Sequence, residues 1–422
     1  MQFGKRLLMM RQVYFFLLLL VSYCSFESAY FDNRFLFPLN YQTVARTREK
    51  PSRLNTDIFF MTADEARNDY CDIRLPDLGG TYDLAKLNKA MKMVGIINPL
   101  FLSEWGTSEL PYVCNGKIRA TGFDFACEYG FNEHIAVGGA VSLMHVSSRY
   151  DYSVSNEAKK NLVICRGSEY FPGREQALEE ARLNSNKLLC LNAGQWSATG
   201  LSDTELYLRL GTIKDYLWKF KQFDASVRVG AILPTGELRS LGAQSSIPFG
   251  GNGHYGAFLQ GEIALELTDD IFFGFWLYGS KRFTKTSMQR MPMDCEALQY
   301  GVLVDCAQVT PGWSIACSPY VLFDDIQDGF GAYAGYTYIH HFKDGWRYNG
   351  TTYCPNLNRL YDASDWTNGF FTIGIDYDFT KGVTIREYGP RVYFDFTLPT
   401  DMFSSQWVPK TYRINLGIEF HF

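Results

Sequence analysis

Residues 411–422, Thr-Tyr-Arg-Ile-Asn-Leu-Gly-Ile-Glu-Phe-His-Phe, alternate apolar and polar side chains without a break and finish on an aromatic. Successive side chains of a strand point to opposite faces. Tyr412, Ile414, Leu416, Ile418, Phe420 and Phe422 therefore share one face, and Thr411, Arg413, Asn415, Gly417, Glu419 and His421 share the other. One face suits lipid and the other suits water. A strand of a soluble sandwich can alternate in the same way, but it typically runs about 5–6 residues. A dyad repeat of about ten residues is the signature of a transmembrane barrel strand, and the terminal aromatic face reads as the signal that the outer-membrane assembly machinery takes up.

The other end agrees. Lys5, Arg6 and Arg11 precede an apolar run from Val13 to Val21, a basic region before a core shorter than the ~20 residues of a spanning helix. Residues 1–29 are expected to be a secretory signal peptide; a retained signal anchor is the alternative. Beyond Val21 no stretch approaches the ~18 consecutive apolar residues of a membrane helix, and mean hydropathy is -0.15. Yet 33 Phe, 27 Tyr and 8 Trp are present, as girdles at two membrane interfaces require. A net charge of -5 carries no basic footprint for nucleic acid.

The dyad pattern recurs in hairpins. Ala257 to Leu267 turns at Thr268-Asp269-Asp270 into Ile271 to Arg282, and Phe371 to Phe379 turns at Thr380-Lys381-Gly382 into Arg391 to Phe396, with a bulge expected at Gly389-Pro390. Trp313 to Phe323 turns at 324–328 into Phe330 to His341. Leu206 to Leu210 pairs with Phe223 to Val229, and Phe123 to Tyr129 with Ile135 to Leu143. A single-chain bacterial barrel needs an even strand number, so a further strand is expected at Asn55 to Ala63, giving about twelve. The reading is an all-β, antiparallel up-and-down transmembrane barrel over residues 54–422, with residues 30–53 left periplasmic or folded back as a plug. Short links near 131, 218, 269, 326 and 381 alternate with long ones, as periplasmic turns alternate with outer loops. Helical spacing in Tyr82–Val94 and Gly173–Leu189 predicts two short helices in those loops.

The inward face predicted by alternation carries Arg209, Arg228, Glu262, Glu266, Arg282, Asp376, Asp378, Arg391, Asp395 and Arg413. They fill a narrow barrel as a paired network or line a selective path. Cys71, Cys114, Cys165, Cys190, Cys295, Cys306 and Cys354 fall in predicted outer loops. An oxidising compartment favours disulfides there, with Cys295–Cys306 the leading pair and Cys165, Cys190, Cys71 and Cys114 further candidates. No cysteine spacing fits a zinc module, no cofactor is implied, and His340 and His341 point to opposite faces of one strand, so no catalytic triad is legible.

The strand ending Ala231-Ile232-Leu233-Pro234-Thr235-Gly236-Glu237 is similar to the strand-then-Pro-Thr-Gly segment of Gram-negative outer-membrane barrels of the hydrocarbon and phenol-pathway transporter type. That resemblance implies an outer-membrane channel or transporter, not an enzyme, whose partners are the lipid bilayer and a small solute, apolar ones included. The cysteine-rich N-terminal third departs from that pattern, and a closed structural or adhesion barrel is the rival reading. Deleting Phe422 is predicted to impair membrane assembly, seen as loss of the heat-modifiable gel band of the folded barrel; an unchanged folded fraction would contradict this.

Overall fold

The computed structural model describes residues 33–36, 52–69, 71–162, 165–166, 169–170, 172–192, 194–216, 219–381, 389–402 and 405–422. The expected signal peptide and most of residues 30–53 lie outside them. Twelve strands form the wall: β1 (Arg53–Ala63), β2 (Tyr112–Gly130), β3 (Ile135–Val154), β4 (Thr204–Asp215), β5 (Gln222–Leu233), β6 (Gly256–Thr268), β7 (Ile271–Arg282), β8 (Trp313–Gln327), β9 (Phe330–His341), β10 (Trp366–Asp378), β11 (Pro390–Pro399) and β12 (Tyr412–His421). Each pairs antiparallel with its neighbours, and β1 pairs with both β2 and β12, closing the ring. Closure leaves no wall strand with an open edge inside the bilayer, where an unpaired backbone group would cost several kcal/mol.

The exterior follows from the alternation. Tyr412, Ile414, Leu416, Ile418 and Phe420 are all exposed on β12, with Phe422 exposed just after it, as are Phe371, Ile373 and Ile375 on β10 and Phe273, Phe275 and Leu277 on β7. The ten residues of β12, at about 3.4 Å each and tilted by about 40°, span about 25 Å, the height of the apolar band of such barrels. No described helix is long and apolar enough to cross a membrane. A closed barrel with an apolar outer band is the architecture of Gram-negative outer-membrane proteins, and that is where this chain resides.

β2 and β3 run to 19 and 20 residues and rise above that band. Their outward positions there are Asn115, Lys117 and Arg119 against Arg149 and Asp151, so both faces are wetted and the amphipathic signal fades. The outer half of β3 pairs with a further strand, Gln195–Leu201, and its inner half with β4. Between those two segments Ser202 donates its backbone N–H to the Ser142 carbonyl, and its hydroxyl accepts from the Ser142 N–H, both at 2.8 Å. The side chain replaces a ladder contact where the strand breaks.

Two details differ from expectation. The β8–β9 turn is Asp328-Gly329, both with positive φ, so the strand runs on through Gln327. Asp-Gly is the residue pair that a tight two-residue hairpin favours. At Gly389-Pro390 there is no bulge: Pro390 is the first residue of β11, pairs in register with Phe420, and needs no interior ladder N–H there.

The outer loops build a folded cap. Helices α1 (Leu84–Met93) and α2 (Pro172–Leu188) occur where their periodicity placed them. Asp83 caps α1 by accepting from the Lys86 N–H at 2.9 Å, and its other oxygen accepts from the Leu110 N–H. Tyr82, Leu84, Leu87, Met91, Trp105, Tyr112 and Tyr300 belong to a buried apolar core of this cap. Substituting Leu416, outward on β12, with Arg is predicted to destabilise the barrel by about 2–4 kcal/mol, the cost of a charge near the midplane. Reversible urea unfolding in phospholipid vesicles measures it, and a cost below about 1 kcal/mol would contradict a lipid-facing Leu416.

Candidate functional site

Inside the wall the alternation delivers charge. Arg209, Arg228, Glu262, Arg282, Asp376, Arg391, Asp395 and Arg413 all lie inward and buried, each under a tenth exposed. Glu266 also points inward but sits half-buried at the periplasmic rim. Arg209 Nε lies 2.9 Å from one oxygen of Glu128 and Arg228 Nε lies 3.6 Å from the other, while Arg228 Nη2 reaches Glu262 at 4.0 Å. Arg53 pairs with Glu419 at 3.3 Å, Arg391 with Asp376 at 2.8 Å and with Asp324 at 3.6 Å, and Arg413 with Asp124. Asp395 is packed so closely that a Cβ on Gly374 would stand 2.0 Å from its carboxylate oxygen. Glu128, Asp124, Arg53 and Glu419 complete this layer; their alternation was readable, but only the pairing register shows which strands bring them to these partners.

Buried ion pairs are poor stabilisers, because desolvation offsets their attraction and apolar replacements are often neutral or better. Several atoms of this layer also lack a well-formed hydrogen bond among the described residues, including Glu419 Oε2, Arg209 Nη1 and Asn415 Nδ2. A core built for stability leaves few such groups.

Outward of the charges lies an apolar collar. Phe59, Met61, Tyr207, Phe258, Tyr278 and Ile339 are buried in one cluster; Phe258 stacks on Tyr278 with ring centroids 5.5 Å apart, and the Arg413 guanidinium lies 4.6 Å over the Phe59 ring. Above the collar the lumen opens into a vestibule with a cavity of about 270 Å³. The loop between β5 and β6 folds into this mouth and buries Ile247 and Phe249. Asp203 anchors it: one carboxylate oxygen accepts from Gly236 N–H at 2.8 Å, and the other accepts from Gly251 N–H at 2.9 Å and from Arg282 at 2.8 Å. Residues 33–36 reach the same space, where Arg34 donates to the carbonyls of Ala363 at 2.9 Å and Trp407 at 3.3 Å.

His341 faces inward and His340 outward. Ser314 Oγ lies 2.7 Å from His341 Nδ1, and His341 Nε2 lies 3.0 Å from Asp344. Asp344 holds the proton on Nε2, which leaves Nδ1 to accept from the serine. Ser314 has no exposed surface, so a substrate cannot reach its hydroxyl; the trio ties β8 and β9 to the following loop. Sequence spacing missed it because Ser314 is 27 residues away.

The cysteine expectation needs correction. Cys71, Cys114, Cys190, Cys295, Cys306 and Cys354 are free thiols, and the side chain of Cys165 lies outside the described residues. Cys306 sits within a strand directly opposite Met288, three rungs from the end of that hairpin at Met291–Leu303, whereas Cys295 is in the loop beyond it. Cys114 is buried on the inward face of β2 while Cys71 is exposed. No group of three or more metal-ligating side chains occurs among the described residues.

Substituting Arg282 with Met is predicted to cost about 3–5 kcal/mol, because it strands the fully buried Asp203 carboxylate. The double variant Arg282→Met with Asp203→Asn should recover part of that loss in the same urea titration. Equal stability of wild type and the single variant would contradict a desolvated pair.

No family model matches the chain, and no curated protein matches it. Solved structures with some likeness include an outer membrane channel from Pseudomonas putida F1, at 10% identity and TM-score 0.48, covering 92% of this chain and 100% of that one. The CymD monoaromatic hydrocarbon channel follows at 11% identity and TM-score 0.32, covering 88% of each. The transport unit of the autotransporter AIDA-I from Escherichia coli stands at 8% identity and TM-score 0.37, covering 93% of this chain and 95% of that one. At these values the assignment rests on the strand pairing itself: the chain is a twelve-stranded outer-membrane β-barrel.

Proposed function

We propose that this barrel is a gated channel or transporter for small solutes. The observation that carries the proposal is the graded lumen: an outer vestibule of ligand size, an apolar collar below it, and beneath that a charged layer whose hydrogen-bonding capacity the protein does not fill. Such groups are costly in a permanently sealed core and gain hydrogen bonds when water enters the lumen, which fits an interior that opens to a polar path. The collar acts as the gate, since a narrow apolar constriction blocks conduction by dewetting. Residues 33–36 serve as part of a plug in the outer mouth.

A second reading, a closed structural or adhesion barrel, is favoured by the burial of the lumen side chains and by the folded cap over the mouth. Planar-bilayer recording separates the two. Wild type should show infrequent openings, and the Phe258→Ala, Tyr278→Ala variant frequent ones. Within the open state Glu262→Lys should shift selectivity toward anions, because rings of charged side chains set it. Absence of conductance and of solute uptake into liposomes, for wild type and collar variant alike, would favour the closed barrel.

A further inference from the structure

The vestibule is unusually rich in guanidinium groups for its supply of carboxylates. Arg34, Arg239, Arg282 and Arg290 line its cavity, and Asp344 is the one carboxylate among the lining residues. Asp344 holds His341 and accepts from the Gly312 N–H at 2.8 Å, both through Oδ1, and Arg282 is matched by Asp203. Among the described residues the other three arginines form no ion pair, and only Arg34 feels the charge of Asp344. Arg290 donates only to carbonyls, those of Leu241, Gly301 and Leu189 at 2.5, 3.2 and 2.7 Å. Arg34 likewise donates to carbonyls. Arg239 is solvent-exposed; its backbone N–H donates to the Asn252 side chain at 3.0 Å, and its guanidinium makes no hydrogen bond or ion pair among the described residues.

Two independent features point the same way. Trp346 Nε1 and Gln244 Nε2 are buried N–H donors with no partner among the described residues, and both side chains line this cavity. Burial first and the charge of Arg239 second pull the pKa of Arg34 and of Arg290 down to about 10, and both arginines share this cavity with Arg239. Three cations that share the charge of one carboxylate, beside unfilled N–H donors, lower their energy by taking an anion.

We infer that the vestibule is a binding site for a compact oxyanion, a carboxylate- or phosphate-bearing small molecule, held by Arg34, Arg239 and Arg290 with Trp346 and Gln244 donating hydrogen bonds. Guanidinium forks match both anions in geometry, and the cavity stands near the lower end of ligand-sized pockets. As a solute class this rests on the channel reading; as a binding site it does not. It turns the expected preference from apolar solutes toward anionic ones.

Isothermal titration of the refolded full-length protein in detergent, with inorganic phosphate and with succinate, tests the site without a membrane. At least one anion should bind saturably, more weakly as salt rises, and the stronger of the two identifies the chemistry. Glucose and toluene should not compete. Arg239→Gln, whose side chain makes no described contact, should weaken binding at least tenfold while keeping the heat-modifiable band of the folded barrel. Arg239→Glu should abolish it. Failure of both anions to bind wild type, or equal binding by wild type and Arg239→Gln, would overturn the inference. Anion binding without conductance would sink the channel reading and leave the site standing; conductance without anion binding would do the reverse.

Discussion

The pairing of β1 with β12 is the contact on which the rest of the structure depends. A bilayer offers no water to satisfy a peptide group, so a sheet can reside there only if its first and last strands meet. Once they do, period-two alternation sorts every side chain to lipid or to lumen without further instruction. The register Ile58↔Leu416 and Phe60↔Ile414 places apolar partners together outside, and Asp57↔Gly417 and Asn55↔Glu419 place polar ones inside. A slip of β12 by one residue would turn Arg413 and Glu419 toward lipid, which is why the terminal strand carries so strict a pattern.

Closure has a cost that shapes the interior. Twelve strands enclose a narrow space, and the inward half of each strand must fill it or leave it wet. Here the inner half is filled with Arg–carboxylate pairs, the middle with aromatic rings and the outer mouth with a folded-in loop. Asp203 ties the inserted loop to the wall, because a single fully buried carboxylate binds two backbone N–H groups of that loop and the guanidinium of Arg282 on β7. Large inward polar side chains are accommodated by small neighbours: Gly374 leaves room for Asp395, and a Cβ at Gly417 would meet the Tyr393 ring at 2.2 Å.

Much of the wall was legible in the sequence because one face of each strand must be apolar and the other need not be. The strand at Asn55 to Ala63, inferred only from the need for an even number, is β1 of the structure. The pattern faded where both faces are wetted, as in the outer extensions of β2 and β3 and the short strands of the cap. It misplaced the turn at Asp328-Gly329 because Asp324 and Asp325 look like turn residues, although Asp324 is buried inward beside Arg391. The candidate site was legible only in part: alternation singles out Arg209, Arg228 and Glu262, but Arg34, Arg239 and Arg290 lie in loops with no periodic signal. The cysteines misled for a related reason, since spacing along the chain says nothing about the strand pairing that sets Cys306 opposite Met288.

Cross-linking across the closing seam tests the account most directly. In a cysteine-free background, Thr56→Cys with Ile418→Cys places two thiols on directly paired, outward positions, within the ~4.5–5.5 Å Cα separation of antiparallel partners that a disulfide spans. Oxidation of the membrane-inserted protein should join them, whereas Thr56→Cys with Gly417→Cys, one residue out of register and on the opposite face, should stay reduced. Failure of the 56–418 pair to cross-link, or equal cross-linking of both pairs, would contradict a closed barrel in this register.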